Sequence, residues 1–333
     1  MRLRPFVAIV TVGAWLALAG GFGIAGEPAK KPLRAGLIGL DTSHVIAFTQ
    51  VINDPKATGD LADVKIVAGY PGGSPDLPDS WNRVGKFTEQ LRKMGIEIVP
   101  SIEDLLTKVD VVLLESVDGR PHLKQARPVI AAGKPLFIDK PMAGSLADVI
   151  KIFELAREAR VPCVSSSSLR FTRDFLAFRE GTSPLGKPLK CVAWGPYSVE
   201  KHHPDLFWYG VHGVEILYTI MGPGCKTVTR AAPDKVVGIW ADGREGTYLG
   251  KKSYGAEVEG TKGKGEVGKS EGYRPLVVEI CRFFKTGKPP VSMEETIELF
   301  AFMEAADESK RQGGAPVSIE SVLAKARQAA ASR

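Results

Sequence analysis

The sequence predicts an α/β fold in which a doubly wound parallel sheet is followed by an α+β domain with an open, mainly antiparallel sheet. Short apolar runs alternate with helical patterns from residue 33 to residue 168, which is typical of a parallel sheet with crossover helices. After Ser168, strand-like runs follow one another with few helices between them. A length of 333 residues also suits two domains, at roughly 150 residues per domain.

The strands of the first domain, residues 33–168, are predicted from short, mostly apolar segments, and its helices from amphipathic patterns with capping residues. The predicted strands are 33–40, 64–70, 96–100, 109–115, 135–139 and 162–166. Helices are predicted at 45–52, 81–94, after Ser101, 121–132 and 145–159.

The second domain, residues 169–333, is predicted to contain most of its strands in sequence, joined by turns. These strands are 189–194, 226–231, 236–241, 246–249 and 253–259. Helices are predicted near 206–221 and at 274–286 and 293–312, and the Gly/Lys-rich segment 261–272 is predicted to be a loop.

The amino-terminal segment has the layout of a secretory signal peptide. Arg2 and Arg4 precede an uncharged apolar run, and Gly23-Ile24-Ala25 offers small residues for cleavage. We therefore expect residues 1–26 to be a signal peptide and the protein to be periplasmic or extracellular. The alternative is an uncleaved membrane anchor, since residues 6–25 are about long enough to span a bilayer. No stable membrane insertion is expected after cleavage.

Composition excludes several classes of protein. The chain is 44% hydrophobic and 25% charged, so it is neither disordered nor fibrous. The net charge of +6 is spread along the chain, and no nucleic-acid partner is expected. The four cysteines form no C-x-x-C pair, so buried free thiols are favoured over disulfides or a zinc site.

Five segments in the same order carry a resemblance to a known family. They are Ala35-Gly36-Leu37-Ile38-Gly39, residues 131–135, Asp139-Lys140-Pro141, residues 209–215, and residues 283–290 with 304–306. From residue 33 to about 320 the chain resembles the glucose–fructose oxidoreductase, inositol dehydrogenase and rhizopine-catabolism (Gfo/Idh/MocA) family, as a divergent exported member. The resemblance implies a Rossmann-type domain that binds NAD or NADP, and a second domain that lines a sugar site and forms a homo-oligomer interface.

The resemblance implies that Lys140 and His212 are the catalytic residues. Removing a hydride from a carbinol carbon requires a base beside the hydroxyl proton, and a histidine titrates in the right range. A nearby ammonium group stabilises the developing alkoxide charge. The alternatives are a solvated lysine at a strand end and a hydrogen-bonded histidine in the domain interface.

The dinucleotide-binding loop departs from the G-x-G-x-x-G pattern. Gly39 is kept, but Asp41 and His44 replace the second and third glycines. A carboxylate about 4 Å from a diphosphate charge would cost about 4 kcal/mol at an effective dielectric near 20. No acid follows the second strand to hold a ribose hydroxyl, and Trp208 stands where the family has an acid. These departures predict weaker cofactor binding unless Asp41 turns away.

The resemblance and the ends of the predicted strands together indicate two groups of binding residues. The expected cofactor contacts are Gly36, Gly39, Asp41, Thr42, Ser43, His44, Pro121, His122, Asp139 and Lys140. The expected substrate contacts are His203, Asp205, Trp208, Tyr209 and Glu215.

Three functions remain open at this stage. The first is an NAD(P)-dependent oxidoreductase acting on a carbohydrate or polyol, including a redox-neutral variant in which transient oxidation assists elimination or glycoside cleavage. The second is a cofactor-free or metal-assisted sugar lyase or hydrolase built from the histidines near the predicted cleft, His44, His122, His202, His203 and His212. Their spacing matches no known metal signature, so no metal ligands are assigned, and a divalent metal stays an alternative. The third is a non-catalytic carbohydrate-binding protein.

Overall fold

A computed structural model describes residues 31–333, so the predicted signal peptide lies outside the described residues. Residues 32–333 form one compact unit that contains two sheets. Among the described helices, none combines the length and the apolar character that a membrane span requires.

The first sheet has six parallel strands in the order β3-β2-β1-β4-β5-β6. Its strands are β1 (Leu33–Ile38), β2 (Val64–Tyr70), β3 (Glu97–Ile98), β4 (Val111–Leu114), β5 (Leu136–Ile138) and β6 (Cys163–Ser165). From β1 the strand order runs outward in one direction to β3 and in the other direction from β4 to β6. In such sheets the ligand crevice lies outside the carboxyl ends of the two strands where the order reverses, here β1 and β4.

Helices connect the strands on both faces of this sheet. They are α1 (His44–Ile52), α2 (Pro78–Lys93), α3 (Ile102–Leu106), α4 (His122–Ala131) and α5 (Leu146–Glu158). Ser101 and Ser145 cap α3 and α5, because each hydroxyl accepts a hydrogen bond from the backbone three residues later. Side-chain caps of this kind account for the accurate prediction of these helix starts.

The second sheet has seven strands in the order β12-β11-β7-β10-β9-β8-β13, and only the β7–β10 pair is parallel. Its strands are β7 (Pro188–Gly195), β8 (Cys225–Ala232), β9 (Lys235–Trp240), β10 (Glu245–Gly250), β11 (Gly255–Gly260), β12 (Gly263–Val267) and β13 (Val317–Ser318). The prediction of a loop over 261–272 is wrong, because residues 263–267 pair with β11 as an edge strand.

Six further helices lie in the second half of the chain. They are α6 (Arg173–Arg179), α7 (Asp205–Trp208), α8 (Gly210–Met221), α9 (Arg274–Thr286), α10 (Met293–Arg311) and α11 (Ile319–Ala331). The predicted helix near 206–221 is divided into α7 and α8, and α6 and α11 were not predicted. Every residue of α8 is buried, which places this helix in the centre of the molecule.

The two predicted domains contribute side chains to one hydrophobic core. Ile280 and Phe283 of α9 belong to the same hydrophobic cluster as Leu37 of β1 and Phe48 of α1. A segment far beyond residue 168 therefore completes the core of the first sheet. All four cysteines are free and buried, as the sequence favoured.

Candidate active site at the carboxyl edge of the parallel sheet

A cavity of about 360 Å³ opens at the carboxyl ends of the parallel strands. This volume lies within the usual range for small-molecule sites. Its lining comes from the turn before α1, from α2, from the segment after β5 and from the second half of the chain. The lining residues are Thr42, Ser43, His44, Asp79, Arg83, Val117, Lys140, Ser168, Leu169, Trp208, Tyr209, His212, Tyr254, Ser270, Gly272 and Tyr273.

The structure brings the two predicted catalytic residues into this cavity. Lys140 follows β5, and its ammonium nitrogen lies 5.8 Å from the centroid of the Tyr209 ring, within the range of a cation–π contact. His212 lies in the first turn of α8, and its Nδ1 is 2.7 Å from the hydroxyl oxygen of Ser167. Residues from the first and second predicted domains therefore face the same cavity.

His212 is held in its neutral form. Burial lowers the pKa of this imidazole well below its usual value, and the nearby charge of Lys140 lowers the pKa further. The Ser167 hydroxyl holds the ring through Nδ1. A neutral imidazole oriented in this way has the charge state that a proton acceptor needs.

Three ionisable side chains form a cluster beneath the cavity. His44 begins α1, Glu115 directly follows β4, and Asp139 directly follows β5. Their ligand-type atoms all lie within 4.8 Å of one another. His44 Nδ1 is 2.6 Å from Asp139 Oδ2, whereas both Glu115 oxygens and Asp139 Oδ1 are buried without a hydrogen-bond partner in residues 31–333.

Burial and mutual charge set the protonation of the two carboxyl groups. Burial raises the pKa of Glu115 well above its usual value, and the charge of Asp139 raises the pKa further. Burial also opposes ionisation of Asp139, but the charge and hydrogen bond of His44 outweigh that effect and hold the pKa of Asp139 below its usual value. The pKa values of these two neighbouring carboxyl groups are thus moved in opposite directions.

Asp41 is turned away from the cavity. It is fully buried, its Oδ1 accepts a hydrogen bond of 2.9 Å from the Val117 amide, and its Oδ2 accepts one of 2.6 Å from the Ser80 hydroxyl. We call these two hydrogen bonds the Asp41 bridge. The bridge joins the turn after β1 to the loop after β4 and to the start of α2. The repulsion expected between this carboxylate and a diphosphate in the cavity is therefore absent in this conformation.

Further side chains close the crevice on the same side as the Asp41 bridge. Leu77, Val117 and Trp208 form a small apolar cluster. Asp118 lies 2.7 Å from the Arg120 guanidinium and 3.1 Å from His203 Nε2. We call the region of the Asp41 bridge, Leu77 and the Asp118 ion pairs the closed half of the crevice; Val117 and Trp208 lie at its border with the cavity.

The side with the cavity, containing His44, Lys140, His212 and Tyr209, is the open half. The first turn of α1 borders it and attracts anionic groups, and so does Arg83, although Arg83 is paired with Asp79 at 2.6 Å. We therefore expect the open half to take a phosphate and the reactive ring of a nicotinamide nucleotide. We expect a whole dinucleotide to need the closed half as well, which requires the Asp41 bridge to open.

Several predicted binding residues lie outside the cavity. Gly36 packs inside the sheet against Leu105 and Val109, and Pro121 caps α4. Gly39 keeps a positive φ of 84°, and a Cβ there would lie 2.2 Å from the Ser116 hydroxyl oxygen. Its role is thus to let the turn pass close to the segment after β4.

The other predicted histidine and carboxylate contacts serve the protein interior. The ring nitrogens of His122 lie 3.0 and 2.9 Å from the carbonyl oxygens of Met142 and Ser116. Glu215 pairs with buried Arg170. The structure therefore places neither of these predicted contacts on the cavity.

His203 and Asp205 are also used in ion pairs. His203 lies between Asp118 and Glu200, and Asp205 pairs with Arg230 at 3.1 Å and with Lys310. Of the predicted substrate contacts, the cavity contains only Trp208 and Tyr209.

Sequence reasoning missed several residues at this site. Tyr254 and Tyr273 line the cavity from distant segments and carry no local signal. Glu115 did carry a local sequence signal, because it is an acid at the end of an otherwise apolar strand, where ligand sites form in parallel sheets.

One part of the chain matches the model of a known protein family. Residues 81–166 match the model of the GFO_IDH_MocA family, an oxidoreductase family with an NAD-binding Rossmann fold. No curated protein matches the sequence. The family match agrees with the resemblance found from the motifs, over residues 81–166 of the first domain.

Solved structures confirm the predicted fold class. A probable dehydrogenase from Thermotoga maritima has a TM-score of 0.68 and 22% identity, over 87% of this chain and 100% of that chain. Scyllo-inositol dehydrogenase from Lactobacillus casei, solved with NAD(H) and scyllo-inositol, has a TM-score of 0.69 and 13% identity, over 87% and 100%. Myo-inositol 2-dehydrogenase from Lactobacillus plantarum has a TM-score of 0.67 and 17% identity, over 86% and 99%.

Proposed function

We propose that this protein is an exported NAD(P)-dependent oxidoreductase that acts on a hydroxyl-bearing carbon of a carbohydrate or polyol. One observation carries the proposal: Lys140 and a neutral, oriented His212 face the same cavity at the amino end of α1. Export rests on the signal-like segment at residues 1–26.

The two side chains have complementary roles in this proposal. The bound cofactor supplies the hydride acceptor. His212 removes the hydroxyl proton of the substrate, and the positive charge of Lys140 stabilises the developing negative charge on the same oxygen. Lys140 also keeps His212 neutral before the reaction, because it lowers the pKa of the imidazole.

The cavity lining favours a small polyhydroxylated substrate. Trp208, Tyr209, Tyr254 and Tyr273 present aromatic rings, which stack on the apolar faces of sugar rings, and Ser168 and Ser270 offer hydroxyl groups. Two of the structures with the same fold are inositol dehydrogenases. A redox-neutral reaction is compatible with the same lining if the hydride returns to the substrate after elimination or bond cleavage.

We also propose that the protein is a homo-oligomer. Two large apolar side chains of the second sheet, Leu189 of β7 and Ile239 of β9, are 47% and 39% exposed, and an interface on this sheet would bury them. The mass in solution, measured by light scattering at several concentrations, tests this proposal. A monomer at every concentration would contradict it.

A metal-assisted reaction in the same cavity is the second candidate function. It is favoured by the closed half, which a dinucleotide must open, and by the two buried carboxyl groups beside His44. A non-catalytic sugar-binding role would leave turnover absent with every cofactor and metal.

The experiment combines cofactor binding with a substrate panel. The protein is denatured and the supernatant assayed for nicotinamide nucleotides, and the native protein is titrated with NADH and NADPH by fluorescence. Inositols and hexoses are then tested for cofactor reduction. For His212→Asn we expect a loss of turnover of about 10² to 10⁴-fold with nearly unchanged cofactor affinity.

The matched control is His202→Asn, because His202 is a partly exposed histidine outside the cavity. We expect turnover of this variant within about twofold of the wild-type value, as for most surface substitutions. Full turnover in His212→Asn, or an equal loss in both variants, would contradict the role given to His212.

A further inference from the structure

The cluster of His44, Glu115 and Asp139 has the composition of a metal site. Strands β1, β4 and β5 are neighbours in the sheet, so the residues that follow them converge at one edge. One imidazole and two carboxylates are thus brought within 4.8 Å of one another from segments far apart in sequence. The resemblance to dehydrogenases does not account for an acid at position 115.

The hydrogen bonding of this cluster is incomplete. Glu115 is fully buried, and neither of its oxygens has a hydrogen-bond partner among the described residues; Asp139 Oδ1 lacks one as well. Buried carboxylate oxygens nearly always have partners, because leaving them without one is costly. By contrast, both oxygens of Asp41 at the same sheet edge are hydrogen-bonded.

The surroundings fix the orientation of the imidazole. The His44 ring stacks on Phe48 with ring centroids 5.3 Å apart, and it meets the Tyr273 ring edge at 4.7 Å. His44 also lines the cavity, so one side of the cluster is accessible to an ion. Ligand side chains that are held in this way lose little freedom when they bind.

We propose that His44, Glu115 and Asp139 bind a divalent first-row transition-metal ion at the floor of the cavity. Imidazole together with carboxylates suits Zn²⁺, Mn²⁺ or Fe²⁺. Three protein ligands leave coordination positions open, as in catalytic rather than structural metal sites. These positions face the cavity that contains Lys140 and His212, where a substrate hydroxyl can bind.

The site does not depend on the oxidoreductase proposal. The metal binds through side chains alone, so it binds with or without a dinucleotide. Two carboxylates offset the charge of a divalent ion. When the ion binds, both the carboxyl proton of Glu115 and the proton between His44 and Asp139 are released to solvent.

The test uses the full chain after treatment with a chelator, followed by titration with ZnCl₂ or MnCl₂. Calorimetry measures the stoichiometry and affinity, and a melting curve measures stabilisation. We expect one equivalent of metal and a melting temperature that rises with metal concentration. Mass spectrometry of the protein before chelation measures the metal acquired during expression.

Two variants and a control locate the site. Glu115→Gln keeps the shape of the side chain, and His44→Gln changes a residue at the edge of the cavity in case the first variant does not fold. We expect each to weaken metal binding on the order of 100-fold and to abolish the shift in melting temperature. Asp41→Asn is the matched control, a buried carboxylate whose oxygens are already partnered, and should bind metal as the wild type does.

Three outcomes would overturn the proposal. They are a wild type that binds no metal by calorimetry and shows no melting shift, a Glu115→Gln variant that binds metal as tightly as the wild type, and equal losses in Asp41→Asn and Glu115→Gln. Failure of the oxidoreductase proposal is a different result, namely absent cofactor binding with metal binding intact.

Discussion

The closed and open halves of the crevice lie on the same edge of the same sheet, yet their polar groups are arranged differently. In the closed half, Asp41 and Asp118 have hydrogen-bond or ion-pair partners on each side. In the open half, both oxygens of Glu115 and one oxygen of Asp139 lack hydrogen-bond partners within the described part of the chain. Complete pairing is typical of a structural region, whereas buried groups without partners are typical of sites that bind something else. The comparison indicates that function is concentrated in the open half.

Replacing Lys140 should give the largest effect. Lys140→Met keeps much of the side-chain volume but removes the charge that faces the substrate oxygen. We expect turnover to fall about 10² to 10³-fold while the free energy of unfolding changes little, since electrostatic stabilisation of the transition state is lost. Steady-state kinetics with the best substrate, beside urea unfolding, checks both parts. Unchanged turnover would remove Lys140 from the mechanism.

A substitution in the closed half should act on stability. Asp118 is buried, which opposes its ionisation, but its hydrogen bonds with His203 and Arg120 hold its pKa far below the usual value. Asp118→Asn should therefore lower the free energy of unfolding by about 1 to 3 kcal/mol at pH 7. Because the folded-state pKa is depressed, this contribution is present above about pH 4 and disappears as the pH falls further. Urea unfolding at pH 7 and pH 3 measures the difference, and equal destabilisation at both values would contradict this explanation.

Weakening the Asp41 bridge should change both the stability of the closed half and the binding of cofactor in the crevice. Ser80→Ala removes the donor to Asp41 Oδ2, and we expect a loss of about 1 to 3 kcal/mol in stability. The same change lowers the cost of opening the closed half, so dinucleotide affinity should increase several-fold, in line with a larger binding-competent population. Thr88→Ala, on the same helix and away from the bridge, is the control. Titration of both variants with the cofactor measures the dinucleotide affinity. Weaker binding in Ser80→Ala than in Thr88→Ala would contradict the view that the Asp41 bridge hinders dinucleotide binding.

The smallest effect should be the change of kcat/KM with pH. Since burial and Lys140 lower the pKa of His212, its neutral form persists below pH 6.5. We expect kcat/KM to stay nearly constant from pH 8 to about pH 6.5 and to decline only under more acidic conditions. A decline that starts near pH 7 would mean that another group acts as the base.

The sequence predicted the fold well because the signals are local. Apolar runs such as 64–70, helix caps such as Ser145 and the glycine at position 39 act within a few residues. Strand β12 was missed because its Gly/Lys-rich composition is typical of a loop. It is stabilised instead by pairing with β11, including an ion pair between Lys264 and Glu257.

The site was less predictable because its properties depend on distant contacts. Motifs placed Lys140 and His212 in one cavity, in line with the resemblance. The direction of the Asp41 side chain depends on Ser80 and Val117, which are 39 and 76 residues away in sequence. That Glu115 has no hydrogen-bond partner follows only from the assembled neighbourhood.

Hydrogen exchange of the Val117 amide tests the central claim most directly, namely that the open half takes the reactive end of the cofactor and the closed half opens for the rest. This amide donates to Asp41 in the present conformation. Adding NAD⁺ should speed exchange at Val117 and slow exchange at Thr42 and Ser43, at the start of α1. Unchanged exchange at all three amides with saturating NAD⁺ would contradict the account.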